Sequence, residues 1–179
     1  IEQRAVFPCF FGSALKLQGV EALLSALDDF TLAPDYPDAF GARVFKISRD
    51  AQGARLTWLK VTGGTLRVKA PLSYEAQGRA YSEKADQLRL YSGVKFRTLE
   101  KADAGSVVAV TGLSHSHVGL GLGAEAEASA PLLQPVLTYR LILPDGADAH
   151  SALTKLRELE EEDPMLRIVW DEHSGQIHV

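Results

Sequence analysis

From residue 39 to about 124 the chain is a series of short alternating stretches with no helical repeat among them, and this run limits the fold more than any other feature. The stretches are "ARVFKISRD", "RLTWLKVTGG", "TLRVKAPL", "EKADQLRLYSG", "VKFRTLEKA" and "SVVAVTGL". In the first, Val44 and Lys46 alternate with Phe45 and Ile47, and the triplet Ala51-Gln52-Gly53 that follows reads as a hairpin turn. Each stretch is bounded by Gly, Pro or charged turn residues, at spacings of about 8 to 14 residues. Such a series favours a small barrel over an open sheet.

The flanks differ. "AVFPCFF" predicts a short buried strand interrupted by Pro8, after which Val20, Leu23, Leu24, Leu27 and Phe30 fall on one face of a helix that begins after Gly19. Pro34 and Pro37 in "LAPDYPDAFG" end this piece and read as a linker. Beyond the barrel, after "EAEASAP", the stretch "PVLTYRLIL" predicts a strand. Ala149, Ala152, Leu153, Leu156 and Leu159 predict a helix capped by Asp148 and stopped by Pro164. "MLRIVW" and "QIHV" predict two more strands around the turn "DEHSG". A β-α-β-β order opens a ferredoxin-like unit, which needs one more helix and strand. The expected fold class is mainly β with α+β: a strand–helix piece at 1–34, a small β-barrel at 39–124, and a partial ferredoxin-like β-α-β-β unit at 132–179. An orphan strand–helix, an incomplete last unit and the lack of an initiator Met lead us to expect a piece of a longer protein.

With 46% hydrophobic residues the chain can build a core, and no apolar run reaches the roughly 18 residues that cross a bilayer. The start carries no basic-then-apolar secretory pattern, and the single cysteine, Cys9, reads as a small core residue; both fit a cytoplasmic setting. The formal charge is −4, yet from Phe40 to Lys101 thirteen Lys and Arg stand against five acids. A basic middle between acidic flanks is either a footprint for a phosphate backbone or a set of solvated charges on strand faces.

No catalytic or metal site is expected. His115 and His117 in "LSHSHVG" are two ligands where zinc takes three or four. The run from Glu158 to Asp163 reads as a solvated helix end rather than an acid–base pair. "GLGLGAE" follows barrel strands and opens no helix, unlike a dinucleotide fingerprint. "FFGSAL" is the remaining candidate: a Gly-Ser-Ala loop between strand and helix suits backbone recognition of a flat ring. There the Ala14 N–H would approach a carbonyl and the Ser13 hydroxyl would brace the loop.

In order along the chain, "PCFFGSALKLQGVEALLSAL", "RVFKISRD…RLTWLKVTGGTLRVKAPL", "AGSVVAVTGL" and "KLRELEEEDPMLRIVWDEHSGQIHV" resemble translational GTPases of the elongation factor G family. They match the last strand, fifth guanine motif and last helix of the GTPase domain, then the second-domain barrel, then the opening of the third domain. Leu166 after Asp163-Pro164-Met165, with "FFGSALKLQGVEALL" and "QPVLTYRLIL", is nearer the branch of tetracycline-resistance ribosomal protection proteins. The resemblance implies a factor that binds GTP or GDP with Mg and hydrolyses GTP on the ribosome. Ser13, Ala14 and Leu15 would form the loop that contacts guanine. The phosphate-binding loop, the switches, the Asn-Lys-x-Asp base reader and the catalytic histidine would all precede Ile1, so this chain alone would carry no cofactor and no catalysis. The barrel would pack on small-subunit ribosomal RNA, with Arg49, Arg55 and Lys69, at loops or strand ends, as candidate phosphate contacts. The competing reading is a stand-alone barrel module that binds RNA or protein without enzymatic activity.

Overall fold

Pro34 and Pro37 flank the point at which the chain divides. The computed structural model describes residues 1, 5–32, 34–76, 78–128 and 135–179, and its two units are Ile1–Asp35 and Tyr36–Val179.

In the first unit, Gly19 at φ 74° precedes helix α1 (Val20–Phe30). The predicted stripe forms, but it is uncovered: Leu23, Leu24, Leu27 and Phe30 are each at least 42% exposed, and only Ala26 is buried. The strand expected over "AVFPCFF" does not form. Residues 5–11 are exposed and irregular, because a strand needs a neighbour for its N–H and C=O groups and no described segment pairs with this one. Cys9 is likewise exposed rather than a core residue.

The second unit opens with ten strands: β1 (Gly41–Arg49), β2 (Arg55–Gly63), β3 (Thr65–Arg67), β4 (Pro71–Ala76), β5 (Arg79–Lys84), β6 (Gln87–Ser92), β7 (Lys95–Leu99), β8 (Lys101–Asp103), β9 (Val107–Thr111) and β10 (Gly121–Gly123). Six pair antiparallel in the order β10-β1-β2-β9-β6-β7, and β3 pairs with β8 and β4 with β5. Three predicted strands, "TLRVKAPL", "EKADQLRLYSG" and "VKFRTLEKA", are each split. "EKADQLRLYSG" breaks at Ala85–Asp86, where the ladder changes partner: Ala85 donates to Ala70 O at 3.2 Å and Asp86 to Thr111 O at 2.8 Å. The alternation holds along β4 and from Trp58 to Val61 in β2, but not through β1: the register shifts between Val44 and Lys46, so Phe45 and Lys46 are both exposed and Ile47 is buried with Val44. Ala42, Val44, Leu59, Val61, Leu66, Leu88, Val108, Val110 and Leu122 all face one core and are nearly inaccessible. Burial of each such Leu contributes roughly 2 kcal/mol.

The glycines of "GLGLGAE" belong to the edge of the six-stranded sheet. β10 pairs with β1, Gly121 opposite Arg43 and Gly123 opposite Gly41. A Cβ on Gly121 would lie 2.3 Å from Glu125 O, and one on Gly123, at φ 64°, would lie 2.3 Å from Phe40 O. The chain needs these glycines for close backbone approach rather than for a phosphate.

The rest of the unit is β11 (Arg140–Leu141), α2 (Ala149–Glu162), β12 (Val169–Asp171) and β13 (Gln176–His178), with the three strands ordered β11-β13-β12, all antiparallel. The third strand thus lies between the first and second, as in the first part of a ferredoxin-like sheet. "PVLTYRLIL" pairs over less of its length than expected because its partner β13 is three residues long; beyond the ladder, Tyr139 and Val179 exchange bonds of 2.8 and 2.9 Å. Asp148 caps α2 as predicted, accepting from His150 N and Ser151 N at 3.4 and 2.9 Å. Pro164 opens a single turn after the helix. The expected start of this unit, residue 132, lies outside the described residues.

Candidate functional sites

The Gly-Ser-Ala loop is a tight turn pinned by its own backbone. Ser13 N donates to Gln18 O at 2.9 Å, Ser13 O accepts from Gln18 N at 3.1 Å, and Ala14–Lys16 form one turn of 3₁₀ helix. The bracing expected of the Ser13 hydroxyl is thus done by main-chain groups. Ala14 and Leu15 begin the turn, so their N–H groups have no partner inside it, and both residues are exposed. Two amides left unpaired by the turn can present donors to the edge of a planar ring.

The three basic residues singled out from the sequence have different fates. Lys69 is exposed, and its Nζ meets Asp86 Oδ1 at 2.7 Å. Arg55 is drawn inward, its side chain only 14% exposed. Its guanidinium donates to Leu113 O, to Ser116 O at 2.5 Å, to Ser116 Oγ at 2.9 Å and to Thr57 Oγ1 at 3.2 Å, while Nε meets Glu161 Oε2 at 3.0 Å. Arg49 Nη2 reaches the same carboxylate oxygen at 3.1 Å. The acidic run of α2 therefore has a structural role: Glu161 joins both arginines, Glu160 Oε1 accepts from Ile168 N at 2.7 Å, and Asp163 Oδ1 accepts from Met165 N at 3.0 Å.

A second cluster lies on the same side. Glu83 accepts from the Tyr74 hydroxyl and from Ser114 N at 3.1 Å, and it meets His115 Nδ1 at 2.9 Å. The His115 ring stacks on Tyr81 with centroids 4.1 Å apart. Burial pushes the Glu83 carboxyl up, but the bonds from Tyr74, His115 and Ser114 outweigh it and hold the group below its usual range. Burial, then the Glu83 bond, pushes the Tyr74 phenol up and keeps it protonated as a donor. An open groove of about 970 Å³ runs between this cluster and the end of α2, past Tyr81, His115, His117, Arg157 and Glu161. His117 has its own carboxylate, Glu127 at 2.9 Å, and among the described residues no three potential ligands gather as a metal site.

A folded-state value below the ordinary one of 4.5 means that Glu83 stabilises fully above that value and loses its contribution as the pH falls through the depressed one. Glu83→Gln is therefore expected to cost about 1–2 kcal/mol at pH 7. The gap from the parent chain should shrink below about pH 4.5. Urea midpoints at both pH values check this, and a gap that stays constant would contradict it.

Sequence reasoning missed the outer face of the six-stranded sheet. The register sets Lys46 opposite Trp58, and Trp58 and Arg89 both opposite Ala109. Lys46 Nζ lies 5.9 Å from the Trp58 ring, and the Arg89 guanidinium lies 4.6 Å from the Phe96 ring. The available signal was the interleaving of cations and aromatics at odd and even positions of facing strands. Such a face suits phosphates and bases.

No family model matches the chain. It is 30% identical, over 94% of its length, to elongation factor G 2 of Syntrophus aciditrophicus (strain SB), and 29% identical, over 96%, to elongation factor G 1 of Geobacter sulfurreducens. Its homologues are elongation factor G proteins and their relatives. One of these relatives is the mitochondrial ribosome-releasing factor 2 of Drosophila yakuba, 28% identical over 97% of the chain. The chain spans just over a quarter of each of these proteins: 28%, 28% and 26%. The fold is also that of the crystal structure of ttk003000868 from Thermus thermophilus. That match has a TM-score of 0.68 and 24% identity, and it covers 89% of this chain and 25% of the other.

Proposed function

We propose that the chain is a segment of a ribosome-binding translational GTPase of the elongation factor G type, and that by itself it performs no catalysis. The observation that carries this reading is similarity over 94% of the chain to an elongation factor G, together with a barrel followed by a β-α-β-β sheet. In this reading 1–34 closes the GTPase domain, 39–124 is the second domain and 132–179 opens the third. Ser13, Ala14 and Leu15 form one edge of the guanine pocket. The unpaired Ala14 and Leu15 amides on a turn pinned by main-chain bonds fit that role. The loop holds no acidic group, so Mg and the phosphates would be held by segments outside this chain.

The barrel is the surface for small-subunit ribosomal RNA. Lys46, Trp58 and Phe96 on its outer face, and exposed Lys69, support this; Arg89, its side chain 13% exposed, is taken up by Asp50 at 2.9 Å. Within the family we place the chain nearest the tetracycline-resistance ribosomal protection branch, acting in the cytoplasm. That finer reading rests on Leu166 and on the quoted stretches around Ser13 and Tyr139. The coding sequence of the parent gene tests the proposal. A GxxxxGK[ST] motif and an Asn-Lys-x-Asp motif upstream of Ile1 are expected, with further domains downstream. A start codon immediately before Ile1 would leave the stand-alone module in its place.

A further inference from the structure

Arg49 and Arg55 stand directly opposite each other as the last pair of the β1–β2 hairpin. Like charges in that position repel, so an anion between them stabilises the pair. One oxygen, Glu161 Oε2, serves both, 3.0 Å from Arg55 Nε and 3.1 Å from Arg49 Nη2. The fit is incomplete. Arg49 Nε is buried and has no hydrogen-bond partner, and Glu158 Oε2 stands 3.9 Å from it.

We propose that the Arg49–Arg55 pair is an anion receptor with two alternative occupants. One is the Glu158 and Glu161 carboxylates of α2, in the arrangement described here; the other is an RNA phosphate. A phosphate brings several oxygens to one point and satisfies the fork that a single shared carboxylate oxygen leaves short. Arg55, anchored on the Leu113 and Ser116 carbonyls, is the fixed half of the receptor, and Arg49 is the half that exchanges. Docking of α2 on the barrel and RNA contact at this hairpin thus exclude each other. The second occupant rests on the ribosomal reading above.

The test is fluorescence anisotropy of a labelled RNA duplex of arbitrary sequence with the 179-residue chain, since phosphate contacts carry no sequence information. E158Q/E161Q is expected to bind about tenfold tighter than the parent, with a salt dependence steeper by about one phosphate. E162Q/E172Q changes the net charge equally at acids that make none of the ion pairs, and it should gain less than about threefold. Adding R49Q to E158Q/E161Q should remove the gain, with thermal melts confirming the fold. Equal gains in the two acid pairs, or a gain that survives R49Q, would overturn the receptor. Inorganic phosphate should release no more RNA than chloride of matched ionic strength; preferential release would make small phosphate the occupant and overturn RNA. If no variant binds RNA, the receptor fails even when the parent gene carries the nucleotide motifs. If the motifs are missing and E158Q/E161Q still gains, the ribosomal reading fails and the receptor stands.

Discussion

Arg55→Ala lowers the stability of the Tyr36–Val179 unit by about 3 kcal/mol, a midpoint shift of roughly 10 °C for a domain of this size. Two main-chain carbonyls, Leu113 and Ser116, take hydrogen bonds from this guanidinium beneath a turn in which both residues are almost wholly buried. Truncation leaves the Ser116 carbonyl without that donor. It also strips Thr57 and Ser116 of a partner and removes the ion pair to Glu161. The cost is that of stranded buried acceptors, which exceeds the net worth of the bonds themselves. Arg55→Lys cannot reproduce a planar fork and recovers only part of the loss. Thermal melts of the two variants check this, and an Arg55→Ala midpoint within about 2 °C of the parent would contradict it. Lys69→Ala, which removes an exposed pair with Asp86, serves as the comparison and should shift little.

Period-two patterning made the barrel legible: the residues that alternate in "RLTWLKVTG" are those whose burial alternates around Leu59 and Val61. The same parity carried a message about Arg55 that a strand-end reading overlooks. Arg55 shares its face with Thr57, Leu59 and Val61, so its side chain points inward and meets the turn at 113–116. Patterning also identified α1, α2 and the Asp148 cap, because those signals are local. It overcalled "AVFPCFF" and "PVLTYRLIL", since an apolar stretch states a tendency to pair while the length of a ladder depends on its partner. β10 was hidden in a glycine-rich stretch whose reason is the close approach of Phe40 and Glu125, far away in sequence or round a turn. Glu83 was invisible for the same reason: its partners Tyr74, Ser114 and His115 come from separate elements. Of the loop around Ser13, the turn was legible and the bonds that pin it were not.

The largest effect is expected in the full-length parent. If, as proposed, Ser13-Ala14-Leu15 closes a nucleotide site, that site would position GTP but hydrolyse it slowly alone, because phosphoryl transfer depends on groups that a partner orders around the γ-phosphate. If the chain is a segment of an elongation factor G-type protein, that partner is the ribosome, and the rate rises by roughly a thousandfold or more when it is added. The 179-residue chain alone should bind no GTP and show no turnover, since in the proposed reading it supplies one edge of the ring pocket and nothing for phosphate or metal. The direct measurement is GTP hydrolysis by the purified full-length protein with and without ribosomes. Slow basal hydrolysis, strongly accelerated by ribosomes, is the expected result. Hydrolysis indifferent to ribosomes, or none in their presence, would contradict it.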